Sequence, residues 1–177
     1  MVGNDSSPVQ SRETSTVGLR EILGAAPGAL YAILDACDEP CVPEKVRELG
    51  DRAVSLYRGA AEQDYVAIAP YLAIVDEDLL SWIVNQLWAK PWGVLVVAPV
   101  DLASLRKHFR RFLIVEDPDG KQMYFRFYDP RVLPMYLATC LPSEVKEFFG
   151  PVHSFLVSGE AAQWTQITRR AGADGYA

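Results

Sequence analysis

The chain has 177 residues, half of them hydrophobic and 23% charged, which fits one well-buried domain and excludes both a disordered tail protein and two ordinary domains. Its net charge of −6 has the wrong sign for a domain that binds by neutralising phosphates, so nucleic acid is not an expected partner. Cys37, Cys41 and Cys140 are odd in number and form no C-x-x-C, so they read as reduced thiols of a cytoplasmic protein, with neither a disulfide framework nor a zinc set.

Residues 1–16 are polar and lack the apolar core of a signal peptide, so disorder and no export by a cleaved signal are expected there. One α/β domain is expected over residues 17–170, followed by a flexible tail over 171–177. Leu30–Leu34, Val54–Tyr57, Tyr71–Val75 and Gly93–Val97 are continuous apolar runs, the pattern of strands buried on both faces. Between them lie helical patterns at Glu44–Leu49, Ala60–Ile68 and Asp78–Trp88, in the last of which Leu79, Leu80, Ile83 and Leu87 share a stripe. Asp101–Phe112 follows at helical spacing. The alternation predicts a mixed sheet whose first half is parallel, of βαβ type, with flanking helices.

Between Asp78 and Asp101 the only charge is Lys90, and the stretch has the length of a membrane span of about 20 residues. Ser81, Asn85 and Gln86 interrupt it, and Lys90-Pro91 with Gly93 breaks it, so it reads as a helix followed by a buried strand, without membrane insertion.

The second half changes style. Asp117-Pro118-Asp119-Gly120 is a turn between two apolar runs, predicting an antiparallel hairpin over Leu113–Tyr128. In its second strand Met123, Phe125 and Phe127 are expected on one side and Tyr124, Arg126 and Tyr128 on the other. Helices at Arg131–Thr139 and Pro142–Phe149 follow, the latter opening with Pro and stopping at Gly150-Pro151. Val152–Val157 reads as a strand and Gln163–Arg170 as an edge strand, a place where a partner could add.

Few residues suggest catalysis. Asp76-Glu77-Asp78 closes a strand with D-x-D, which could present a nucleophile and an acid to a phosphate with Mg²⁺. The matching later residues are missing, and the same carboxylates suit the N-terminus of the next helix. With only His108 and His153, a triad or metal centre has little to draw on; His108, at the edge of its helix stripe, reads as a packed and hydrogen-bonded side chain. The opposite face carries Arg106, Lys107, Arg110 and Arg111, either a solvated face or a docking face for an acidic partner. Arg126 stands between Tyr124 and Tyr128 and needs a partner, whether tyrosine faces, a carboxylate or a bound molecule, while Asp129 is placed to cap the helix after Pro130. Of the tryptophans, Trp88 lies off the helix stripe, and Trp88 or Trp92 at a surface would serve as an interface anchor.

The run from Trp92 to Leu133 resembles the core of the type VI secretion adaptor chaperones, the domain encoded beside VgrG spike and effector genes. The resemblance is carried by H-F-R-R (His108–Arg111), the D-P-D-G turn, F-R-F-Y-D-P-R (Phe125–Arg131) and F-F-G-P (Phe148–Pro151), with the Leu30–Asp35 strand, L-Y-R-G (Leu56–Gly59) and A-P-Y-L (Ala69–Leu72) before them. It spans roughly Leu30 to Val157 and implies a non-catalytic adaptor, without cofactor or metal, that holds an effector by its delivery segment and helps load it on the spike. Trp88, Trp92, Arg106, Arg110 and Arg111 are then the candidate partner-binding residues. His108, Arg126, Tyr128, Asp129 and Arg131 are motif residues expected to serve the fold. A phosphoryl-transfer hydrolase using Asp76 and Asp78, and an immunity-type protein that occludes a toxin, are the competing readings.

Overall fold

Side chains alternate along the second strand, and that alternation sets the layers of the molecule. A computed structural model describes residues 7–15, 21, 28–88, 90–117, 119–159 and 163–170. In chain order its elements are β1 (Val9–Ser15), β2 (Ala29–Asp35), α1 (Val42–Leu49), a 3-10 turn at Gly50–Arg52, β3 (Ala53–Ser55), α2 (Ala60–Asp64), β4 (Pro70–Ile74) and α3 (Glu77–Trp82), which continues as a π turn over Ile83–Leu87. Then come β5 (Gly93–Ala98), α4 (Leu102–Phe109), β6 (Ile114–Glu116), β7 (Gln122–Tyr124), α5 (Leu133–Thr139), α6 (Pro142–Phe149), β8 (Ser154–Ser158) and β9 (Gln163–Arg169).

Seven strands form one sheet in the order β1-β9-β8-β5-β2-β4-β3, and β6 pairs with β7 apart from it. Tyr31 and Ile33 of β2 face a core built with Leu105 and Phe109 of α4, Leu137 of α5 and Phe148 of α6. Ala32 and Leu34 face the other core, with Val42 and Leu49 of α1, Leu79 and Leu80 of α3, and Trp92. The result is a three-layer α/β/α arrangement in which β5 is buried at every position. Gly93 opens β5 at φ 134°, where a Cβ would lie 1.8 Å from the Ile33 carbonyl oxygen, so only glycine lets β5 meet β2 there.

Every strand pairing is antiparallel, which corrects the expected parallel first half. The crossover helices exist, but α1 leads from β2 to β3 with β4 lying between them, and α3 leads from β4 to β5 with β2 between them. Each crossover therefore joins strands of like direction separated by an opposed neighbour. Continuous apolar runs report burial on both faces, which a sheet covered by helices on both sides supplies whatever its strand direction.

Other boundaries move as well. The polar run Val9–Ser15, expected to be disordered, is a strand paired with β9 over its whole length, since ladder hydrogen bonds do not require apolar side chains. That pairing also removes Gln163–Arg170 from the sheet edge: β9 lies between β1 and β8. The helix expected over Ala60–Ile68 ends at Asp64, and the hairpin strands are only Ile114–Glu116 and Gln122–Tyr124. Beyond them the chain turns, so Phe127 and Tyr128 are both buried instead of facing opposite ways. The expected tail over 171–177 and the first six residues lie outside the described residues. Among the described residues no helix is long and apolar enough to cross a membrane; the Asp78–Asp101 stretch is instead α3, its π turn and β5.

Candidate interaction surface

Asp101 caps α4 by accepting from the Ser104 N–H at 2.7 Å, which fixes where the basic face of this helix starts. That face divides: Lys107 and Arg111 are exposed, whereas Arg106 and Arg110 are tied into the fold. Arg106 donates through Nε to the Ser55 carbonyl at 2.8 Å and through Nη2 to Glu62 at 2.7 Å. Arg110 donates to the carbonyls of Leu56 at 3.0 Å, Ser55 at 3.3 Å and Tyr57. The two guanidiniums thus hold the end of β3 and its following loop against α4, satisfying backbone acceptors that pair with no strand there. Burial, and then the neighbouring Arg106 charge, pull Arg110 below the usual arginine value. Arg111 reaches away to Glu147 at 2.5 Å with both side chains more than half exposed.

Arg126 finds its partners at the C-terminal end of β2, 91 residues earlier in sequence. Its Nε and Nη2 donate to Oδ2 of Asp35 at 3.0 and 2.5 Å, and Nη2 also reaches Asp38 at 2.9 Å. Asp35 is 1% exposed, and its Oδ1 accepts from the Cys37 N–H at 2.9 Å. Burial pushes the Asp35 carboxyl up, against the pull of that N–H and of Arg126. For Arg126 burial acts downward, but the hydrogen bond to Asp38 and the charge of Asp35 prevail and its value rises. Tyr128 and Tyr57, both raised chiefly by burial, stay phenolic around this clamp. Asp129 belongs to a second, local pair. It accepts from Arg131 through both the backbone N–H at 2.8 Å and the guanidinium, so it caps the 129–132 turn and not the helix beyond Pro130.

His108 is 7% exposed and its Nε2 lies 2.8 Å from the Phe148 carbonyl oxygen. Burial lowers its pKa, so the neutral ring donates that bond. Its ring also lies over Gly150, at φ 48°, where a Cβ would come within 2.4 Å of Cε1. The H-F-R-R and F-F-G-P segments therefore meet at one packing point.

Trp92 is wholly buried, which removes it as a surface anchor: Asp35 donates its N–H to the Trp92 carbonyl at 2.7 Å and the ring sits edge-on to Trp164. Trp88 is half-buried against Trp164 with ring centroids 5.0 Å apart. The exposed apolar surface lies elsewhere. Asp76 caps α3, its Oδ1 accepting from Leu79 at 2.9 Å and its Oδ2 paired with Arg52. The Leu79 N–H and then Arg52 hold its carboxyl below the usual range. Asp76 borders a cavity of about 240 Å³ that Asp78 does not line, so the two carboxylates do not converge on it. Among the described residues no group of three or more His, Cys, Asp or Glu side chains could hold a metal ion.

The hairpin β6–β7 carries four of the exposed large apolar side chains; Tyr65, Val66 and Ile68 after α2, Met135 on α5 and Leu141 before α6 are exposed as well. Ile114 is 50% exposed, Val115 38%, Met123 44% and Tyr124 59%. Ile114 pairs with Tyr124 and Val115 with Met123. Successive strand residues point to opposite faces, so both faces of this small ribbon present apolar side chains to solvent. At its base lies a cavity of about 140 Å³ formed with the loop that Arg110 holds and lined in part by Tyr57 and Tyr124, whose rings touch each other with centroids 5.2 Å apart. Arg58 stands at its rim, exposed, and among the described residues no carboxylate pairs with it. Sequence reasoning missed Tyr57, Arg58, Ile114, Met123 and Tyr124. The available signal was apolar residues at consecutive positions on both strands of an isolated hairpin.

A family model described as domain of unknown function (DUF4123) matches residues 30–147, about two thirds of the chain. No curated protein and no solved structure matches it.

Proposed function

The chain belongs to the DUF4123 family, and we propose that it is a non-catalytic adaptor that binds a type VI secretion effector in the cytoplasm of the producing cell and helps load it on the VgrG spike. The motifs that carry the resemblance to those adaptors lie largely inside the matched region. The observation that carries the reading is the hairpin β6–β7, whose apolar side chains are exposed on both faces beside a cavity with an arginine at its rim. An apolar ribbon standing off a fully formed core suits capture of another chain better than turnover of a small molecule. The best-engaged carboxylates support the same reading, since Asp76 is committed to a helix cap and Arg52, and Asp35 to Arg126.

Co-expression with the effector and the spike protein encoded beside this chain tests the proposal. The expected result is copurification of one of them, or its gain in solubility, through a segment outside the toxic domain. Failure of both to copurify or gain solubility overturns the adaptor reading. Protection against the isolated toxic domain overturns it in favour of an immunity protein.

A further inference from the structure

Arg58 and the cavity beside it define what kind of segment this surface takes. Leu56 and Leu113 supply its apolar lining and Tyr57 and Tyr124 its aromatic walls. Its volume of about 140 Å³ is close to that of a cavity of roughly 150 Å³ known to accept a benzene ring. One large apolar side chain, phenylalanine or leucine in size, therefore fills it. The charges around it are uneven. Arg58, Arg106 and Arg110 gather here, and Glu62 pairs with the latter two, at 2.7 and 3.8 Å, leaving Arg58 to solvent. In a chain of net charge −6, this is a local cationic rim on an apolar hole.

We propose that this groove docks an extended peptide segment of the partner protein, placing one phenylalanine- or leucine-sized side chain in the pocket that Tyr57 and Tyr124 line together and an adjacent carboxylate on Arg58. The assignment rests on the adaptor reading and adds to it the recognition chemistry. Burial of the side chain supplies affinity, while the arginine fixes orientation and excludes basic segments. Since among the described residues β6 and β7 pair only with each other, an extended segment alongside the hairpin also meets free backbone groups.

The test uses overlapping 15-residue peptides tiled across the effector and spike proteins encoded beside the chain. They are probed with the full chain, and the strongest binders are then titrated by fluorescence anisotropy. The expected binders carry Phe, Leu or Met next to Asp or Glu, and replacing either member weakens them several-fold. Arg58→Glu weakens them at least about threefold at low salt, with a smaller loss at high salt. Tyr124→Ser weakens them at all salt concentrations. Thermal melts of both variants should match the parent, because both side chains are exposed. The assignment is overturned if no peptide binds, if the binders lack a carboxylate, or if both variants bind like the parent. It is also overturned if sedimentation shows the parent to be a dimer that Tyr124→Ser dissolves, since the occupant is then a second copy. Copurification of the intact effector with any of these outcomes overturns the groove and leaves the adaptor standing; loss of copurification itself removes the adaptor.

Discussion

Strand β5 and the hairpin β6–β7 are made of similar residues and meet opposite fates. Gly93–Ala98 is buried at every position between two helical layers, whereas Ile114–Glu116 and Gln122–Tyr124 are exposed at every position. Apolar, β-branched and aromatic side chains favour the extended backbone in both cases. What separates them is neighbours: β5 has β2 and β8 beside it and helices on both faces, while among the described residues the hairpin strands pair with each other apart from the large sheet and Tyr124 touches Tyr57. The difference teaches where this molecule holds its stability and where it keeps surface available for something else.

The largest expected effect is at the core. Phe148 is fully buried and packs on Phe112, Phe127, Tyr136 and Phe155. Phe148→Ala should cost about 3–5 kcal/mol in chemical unfolding. A cost below 1 kcal/mol would show that the helical layer is not held as tightly as β5 implies.

Arg126→Ala comes next. It leaves the buried Asp35 carboxylate without its counter-charge, at a cost of about 2–4 kcal/mol. The lower end is expected because Arg126 itself is about one third exposed. An unchanged melting temperature would place the clamp with the hairpin and not with the core.

His108 gives a pH test of the same core. Burial holds its folded pKa below the unfolded value of 6.5. The unfolded chain therefore binds the proton first as pH falls. Stability from this residue is present above about pH 6.5 and is lost as pH drops through the lower folded value. In His108→Gln, that part of the acid slope in melts across pH 7 to 4 should flatten. An unchanged slope would mean that the ring is not buried in solution.

The smallest stability effects belong to the hairpin. Met123→Ser should change the unfolding free energy by no more than about 0.5 kcal/mol while reducing effector copurification. Arg111→Ala should be similarly mild, because its partner Glu147 is as exposed as it is. A large loss of stability in Met123→Ser would erase the distinction between the two regions.

Much of this was legible in local sequence. The runs around Leu30, Tyr71 and Gly93 specify strands, Asp101 and Asp76 specify helix starts through caps three residues long, and Asp117–Gly120 specifies the hairpin turn. Each of these signals acts over a few residues, where propensity and hydrogen-bond geometry are decided. What the tertiary structure alone decided involves residues far apart. Strand direction depended on which strand slid between two others, and apolar content is blind to that. The strand at Val9–Ser15 existed only because β9 offered it a ladder. Arg126 had to have a partner, but Asp35 could be chosen only by the fold that carries the end of β2 to it. Trp92 and Tyr124 are both large aromatics beside apolar neighbours in sequence, and one is sealed while the other stands in solvent. Burial is a property of what packs on a side chain, and the chain's own local pattern does not contain it.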